Sequence, residues 1–198
     1  MDAFIRFGIS VLSIQLPIYY NHLMGVMGME YWDLVDEKRN SLGKTHQRDI
    51  ALTPGEYHVV VEIFTINADG RILLTQRDPA KTYPLKWEIT GGSITARETS
   101  AEGAARELEE ETGLLAAPEQ LKKIGEIKYG HYFRDSYIWR SAELIEPAAM
   151  KLQPGEVCDA QFVTFEELVK MDAAGLTVPS VLERCRLYRM DLHRLIEG

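Results

Sequence analysis

The chain has 198 residues and a mass of 22.5 kDa, enough for one domain with a real core and too few for two full-sized ones. With 45% hydrophobic and 26% charged residues it sits near the globular average, which excludes wholesale disorder. A formal net charge of −8 argues against a duplex nucleic-acid surface, which rests on neutralising phosphates with Lys and Arg. It leaves room for a small phosphorylated substrate held by a metal or a few local cations.

The first segment, Phe4–Tyr20, is apolar but interrupted by Arg6, Gln15 and Pro17, and falls short of the roughly 20 apolar residues of a membrane span. Asp2 and the bulky Tyr19-Tyr20-Asn21-His22 do not suit a secretory leader. Residues 1–29 are therefore expected to be an extension packed on the domain or poorly ordered, with Met24, Met27 or Met29 as alternative starts, and residues 30–198 to be one domain. No membrane association is expected. The apolar extension is a reasonable contributor to a homodimer interface.

Tyr31–Glu37 and the polar run through Asn40-Ser41-Leu42-Gly43 suggest a small hairpin or loop. His58–Ile66 is β-branched and aromatic enough for a strand, Asn67-Ala68-Asp69-Gly70 is a turn, and Arg71–Gln76 reads as the returning strand of a hairpin. Trp87-Glu88-Ile89 is a short strand running into Gly91-Gly92. Next comes a helix over Ser100–Thr112, with Thr99 and Glu102 at capping-box spacing and Gly113 placed to end it. Strands are expected at Ile124–Tyr132, Tyr137–Leu144 and Ala160–Val163. Helices are expected at Phe165–Met171 and, after Pro179-Ser180, at Val181–Ile196. This order predicts an α/β layered domain. Cys158 and Cys185 have neither zinc-ligand nor disulfide-framework spacing, in keeping with a reducing cytoplasm.

The helix carries the sharpest signal. Glu107, Glu109, Glu110 and Glu111 put four carboxylates into five positions. At about 100° per residue, Glu107, Glu110 and Glu111 fall in one sector, while Ala101, Ala104, Ala105, Leu108 and Thr112 form an adjacent stripe suited to a sheet. Like charges at this spacing repel, and negative charge near a helix C-terminus opposes the macrodipole. A hard divalent cation reverses that balance, since Mg²⁺ takes oxygen ligands and keeps waters for phosphates to displace. On spacing alone, a solvated acidic face fits as well. Arg106, one turn before Glu110, could orient that carboxylate.

The run from Gly92 to Leu114 decides between them. It resembles the Nudix box at every fixed position: Gly92, Glu98, Arg106, Glu107, Leu108, Glu110, Glu111, Gly113 and Leu114. At ordinary residue usage, a chance match in this length falls below about one in a million. The flanking strand pattern is similar to the family over roughly residues 30–170. The resemblance implies an α/β/α sandwich with a mixed central sheet, the box forming a loop–helix–loop. It implies a divalent metal, Mg²⁺ or Mn²⁺, held by Glu107, Glu110 and Glu111, with the Gly91 or Gly92 carbonyl as a further ligand. The activity it implies is hydrolysis of a nucleoside diphosphate linked to another moiety, or of a similar organic pyrophosphate. For the general base it leaves Glu110 and Glu156 open.

Arg77 and Lys81, just after the second strand of the expected hairpin, are the candidate cations for the distal phosphate. Tyr83, Trp87, Tyr129 and Tyr132 are candidates to stack a base, and His58 has either a structural or a site role. Tyr31-Trp32-Asp33, Gly55-Glu56-Tyr57-His58, Arg77, Lys81 and Trp87 resemble the isopentenyl-diphosphate isomerase branch. That branch carries a catalytic cysteine shortly after the tryptophan; here Glu88-Ile89-Thr90-Gly91-Gly92 follows with no thiol, which disfavours isomerase chemistry. A third reading, a non-catalytic nucleotide-sensing module, is disfavoured by the complete box. ADP-ribose hydrolases often carry a proline near 128–130, where this chain has Lys128, Tyr129 and Gly130; the substrate stays open.

Overall fold

The computed structural model describes residues 30–196. The extension over residues 1–29, with its alternative starts and its expected part in an interface, lies outside them.

Tyr31–Val35 (β1) and Ser41–Gln47 (β2) form the expected antiparallel hairpin. The main sheet is built around His58–Ile66 (β3), which runs parallel to Tyr132–Arg140 (β8) over nine paired positions, from His58↔Tyr132 to Ile66↔Arg140. Lys122–Tyr129 (β7) pairs antiparallel with β8. Strand alternation sorts the β3 side chains. Val59, Val61 and Ile63 pack with Ala104 and Leu108 of the helix Ser100–Thr112 (α1). Phe64 and Ile66 pack on the other face against Leu168, Val181, Leu182, Cys185, Tyr188 and Leu192. Those residues belong to Phe165–Ala173 (α2), Val181–Leu187 (α3) and Arg189–Ile196 (α4), so helices cover both faces of a mixed sheet. This is the expected α/β/α sandwich.

The expected hairpin between β3 and Ile72–Arg77 (β4) exists only at its turn, where Ile66 pairs with Ile72. Beyond it the strands splay. Gly91–Ser93 (β6) fills the edge of β3, with Val61↔Gly92 and Glu62↔Gly91, while Trp87–Glu88 (β5) fills the edge of β4. The long partner of β4 is instead Val157–Val163 (β9). Gly91 makes the wedge possible, because a Cβ there would lie 2.2 Å from the Val61 carbonyl oxygen.

Two further expectations are corrected. The strand expected at Ile124–Tyr132 runs across a tight turn at Gly130-His131, where Gly130 has φ 55° and Tyr129 pairs with Tyr132. The single C-terminal helix breaks at Tyr188, whose phenol reaches back under the sheet to the Ser136 hydroxyl, 3.1 Å away. Among the described residues no helix is long and apolar enough to cross a membrane.

Candidate active site

Helix α1 forms with the expected ends. The Thr99 hydroxyl accepts the Glu102 N–H, the Glu102 carboxylate accepts the Thr99 N–H at 2.8 Å, and Gly113 closes the last turn at φ 73°. Ala104, Leu108 and Thr112 are buried against the sheet. That orientation turns Glu107 and Glu111 into the wedge between β3 and β4 and leaves Glu110 at its rim.

Gly92 sits directly against the first of these. A Cβ at Gly92 would lie 2.4 Å from the Glu107 carboxyl carbon and 2.5 Å from both its oxygens, so only glycine leaves this space open. Burial outweighs the neighbouring Arg106 charge and pushes the Glu107 carboxyl up to about 7. Glu111 is buried, and burial, then the charges of Glu107 and Glu88, raise it well above the carboxylate range; the Gly91 N–H is its opposing hydrogen bond. Two desolvated acids side by side are unfavourable without a cation between them.

Arg106 holds the box together. Its Nε and Nη2 donate to the two oxygens of Glu98 at 2.8 and 3.0 Å, Nη2 to the Ser93 carbonyl at 3.0 Å, and Nη1 to Glu107 and Glu110, both at 2.9 Å. Glu98 in turn accepts the Thr95 N–H and hydroxyl, pinning the loop before α1. Among the described residues no three Asp, Glu, His or Cys side chains are gathered in a geometry that could hold a metal ion as they stand. Convergence of Glu107, Glu110 and Glu111 requires Glu110, at the exposed rim, to swing off Arg106. The donor set fits a hard divalent cation in kind: carboxylate oxygens beside a space that a Cβ would fill.

The remaining expected residues, Arg77, Lys81 and Glu156, are each engaged in an ion pair. Arg77 is ion-paired with Glu88 and donates from Nε to the Thr82 carbonyl; Lys81 is ion-paired with Glu156. Backbone bonds fix the Glu156 loop to the end of α1, through Gln153 N–H to the Glu111 carbonyl at 3.3 Å, and to β4, through Asp78 N–H to the Glu156 carbonyl at 2.9 Å. Sequence reasoning missed Glu88. Burial raises its carboxyl against the Arg77 charge, and its own charge is felt at Glu111. Its position just ahead of Gly91-Gly92 was the available signal.

Of the expected stacking residues, Tyr83 and Tyr129 are exposed, Trp87 packs against the core, and Tyr132 is half-buried. Among the described residues the tightest ring pair is instead Trp32 on His58, with centroids 4.0 Å apart and planes at 12°. Cys185 is buried, and burial pushes its thiol up to about 12, which favours the unreactive protonated thiol.

Comparison with known proteins gives a consistent result. The NUDIX domain family model matches residues 56–183. An uncharacterized Nudix hydrolase of Listeria monocytogenes is 34% identical over 155 residues, covering 76% of this chain and 89% of that protein. The isopentenyl-diphosphate Delta-isomerase of Streptomyces griseus is 29% identical over 153 residues, 71% of this chain and 74% of the isomerase. Among solved structures, DR0079 of Deinococcus radiodurans superposes with a TM-score of 0.62 at 24% identity, over 79% of this chain and 98% of that one; at that identity the likeness speaks to the fold.

Proposed function

Because the chain belongs to the Nudix family, we propose that it is a Mg²⁺-dependent hydrolase, with Mn²⁺ as an alternative ion, that cleaves the diphosphate bond of a nucleoside diphosphate linked to another moiety or of a similar organic pyrophosphate. The observation that carries this reading is the glycine-cleared space at Gly92, onto which the half-buried Glu107 carboxylate opens, with the buried Glu111 one turn along the same helix.

Glu107, Glu110 and Glu111 would hold the cation, with the Gly91 or Gly92 carbonyl. When bound, the ion stabilises charge on the phosphoryl oxygens and lowers the pKa of water. Arg106 orients Glu107, keeps Glu98 on the loop and holds Glu110 at the rim until the cation draws that carboxylate away. Arg77 and Lys81 exchange their carboxylate partners for the distal phosphate. A water oxygen attacks phosphorus, its proton passes to Glu110 or to Glu156 freed from Lys81, and the P–O bond to the leaving phosphate breaks.

Phosphate release from a panel of diphosphate compounds after phosphatase coupling tests the reading. Turnover with Mg²⁺ and none in EDTA supports it; no turnover of any compound with either ion contradicts it. The isomerase alternative has the Streptomyces match in its favour and lacks a cysteine after Trp87. Formation of dimethylallyl diphosphate from isopentenyl diphosphate would establish it instead. Assembly as a homodimer through residues 1–29 belongs to the same proposal. Equal subunit stoichiometry by light scattering with and without residues 1–28 would remove the extension from it.

A further inference from the structure

The segment that joins β4 to β5, residues 78–86, is held in two different ways. Its ends are fixed by backbone. Asp78 N–H donates to the Glu156 carbonyl at 2.9 Å, Arg77 N–H to the Lys86 carbonyl at 3.0 Å, and Trp87 N–H to the Leu176 carbonyl at 2.9 Å. Among the described residues, the tip over 79–84 has two polar links to the rest of the molecule, each made by a cation. Arg77 Nε donates to the Thr82 carbonyl, and Lys81 is ion-paired with Glu156.

The tip is also strained. Tyr83 has φ 55° and Leu85 φ 59°, so two non-glycine residues, one on either side of Pro84, sit in the left-handed region. A Cβ there crowds the backbone carbonyl, and a residue ahead of proline favours extended backbone, so neither residue prefers the conformation it holds. Both side chains are exposed, which leaves little apolar burial to offset the strain. What fixes the turn is polar. Leu85 N–H donates to the Arg77 carbonyl at 3.2 Å, the Leu85 carbonyl accepts Gln76 Nε2 at 3.0 Å, and Lys86 N–H donates to the Tyr83 carbonyl at 3.2 Å.

We propose that residues 78–86 form a latch that phosphate releases. Arg77 and Lys81 hold the strained tip while no phosphate is bound. When a diphosphate draws both cations off Thr82 and Glu156, Tyr83 and Leu85 leave the left-handed region and the tip changes conformation. The inference rests on the hydrolase reading for one point, that these two cations meet the phosphates. Because the strain is relieved only in the bound state, it adds to the affinity for phosphate, and the same step frees Glu156.

The test uses the full chain with Mg²⁺ and methylenediphosphonate, whose P–C–P bridge resists hydrolysis. Amide hydrogen exchange followed by NMR reads the latch. On saturation the Leu85 and Lys86 amides should exchange about fivefold faster or more, because release breaks their bonds to Arg77 and Tyr83, while the Arg77 and Trp87 amides at the fixed ends stay unchanged. A ligand bound beside a static loop slows exchange there or leaves it alone. Calorimetry reads the strain. Asparagine tolerates left-handed backbone better than leucine or alanine, so Leu85→Asn should bind the compound about threefold more weakly or worse, and Leu85→Ala should stay within about twofold of wild type. Unchanged or slower exchange at Leu85 and Lys86, equal affinity in Leu85→Asn and Leu85→Ala, or no binding of the compound overturns the latch. If Leu85→Asn does not fold, the wild-type exchange decides alone. A responsive tip without Mg²⁺-dependent turnover of any diphosphate would sink the hydrolase reading alone; turnover with an unresponsive tip would sink the latch alone.

Discussion

Gly92→Ala separates the chemistry of the wedge from its stability. The new methyl would sit 2.4 Å from the Glu107 carboxyl carbon, whereas carbon atoms in contact stay about 3.5 Å apart, so the carboxylate must retreat by about 1 Å. Glu107 can do so because the clash is with the far end of its own side chain, and Gly92 is not in the left-handed region that only glycine adopts easily. A 1 Å misplacement of a reacting or ligating group costs up to about 100-fold in rate, or about 2.7 kcal/mol. The variant should therefore lose about 100-fold in kcat/KM for diphosphate hydrolysis while its melting temperature stays within about 2 °C of wild type. Gly91→Ala makes the internal control. Its methyl meets the Val61 carbonyl oxygen at 2.2 Å and the Glu62 Cα at 2.9 Å, backbone that cannot pivot. Overpacking of this kind costs about 1–3 kcal/mol, which lowers the melting temperature of a chain this size by roughly 3–10 °C. Coupled phosphate release and thermal denaturation on both variants measure the contrast. Wild-type turnover in Gly92→Ala would refute the placement of the reaction at Glu107.

Three further outcomes follow from the same geometry. Replacing Glu110 or Glu111 by Gln should lower turnover at least tenfold each, measured by phosphate release at saturating Mg²⁺. Arg184→Met should lower stability by about 3–5 kcal/mol in denaturant titration, because it leaves the Glu62 carboxylate, 4% exposed and bonded to Arg184 Nε at 2.7 Å, without its cation; Glu62→Met with Arg184→Met should restore much of that loss. The pH dependence of stability should carry a His58 signature. Its folded pKa of about 4 lies below the unfolded value near 6.5, so the unfolded chain binds the extra proton between these limits. Its contribution is complete above pH 6.5 and is lost as pH drops, the loss reaching about 3 kcal/mol by pH 4. Subtracting the pH profile of His58→Phe from that of wild type isolates it, and a flat difference would contradict the neutral, buried assignment.

The parts of the molecule readable from its residues were those encoded locally. Thr99, Glu102 and Gly113 mark the ends of α1 because capping depends on neighbours three or four positions away, and the β-branched run of β3 reports its own burial. The splay of β3 and β4 was not readable, since the turn at Asn67–Gly70 signals a hairpin and only the insertion of 87–93 between the strands opens it. The Gly130-His131 turn was hidden by the flanking tyrosines, which carry strand propensity across it. In the site, the spacing of Glu107, Glu110 and Glu111 was legible, but the pairing of Arg77 with Glu88 depends on how β4 and β5 lie side by side, and that of Lys81 with Glu156 is a contact between distant segments. The Trp32–His58 stack was missed for the same reason.

The claim on which the rest depends is that the acidic face of α1 grips a divalent cation at the space beside Gly92. Titrating Mn²⁺ into the full chain and following free ion by its paramagnetic resonance signal tests it directly. Uptake by the wild type that is lost in the combined Glu107→Gln, Glu111→Gln variant, with its fold intact by circular dichroism, is the predicted result. Equal uptake by that variant, or none by the wild type even with a non-hydrolysable diphosphate present, would contradict it.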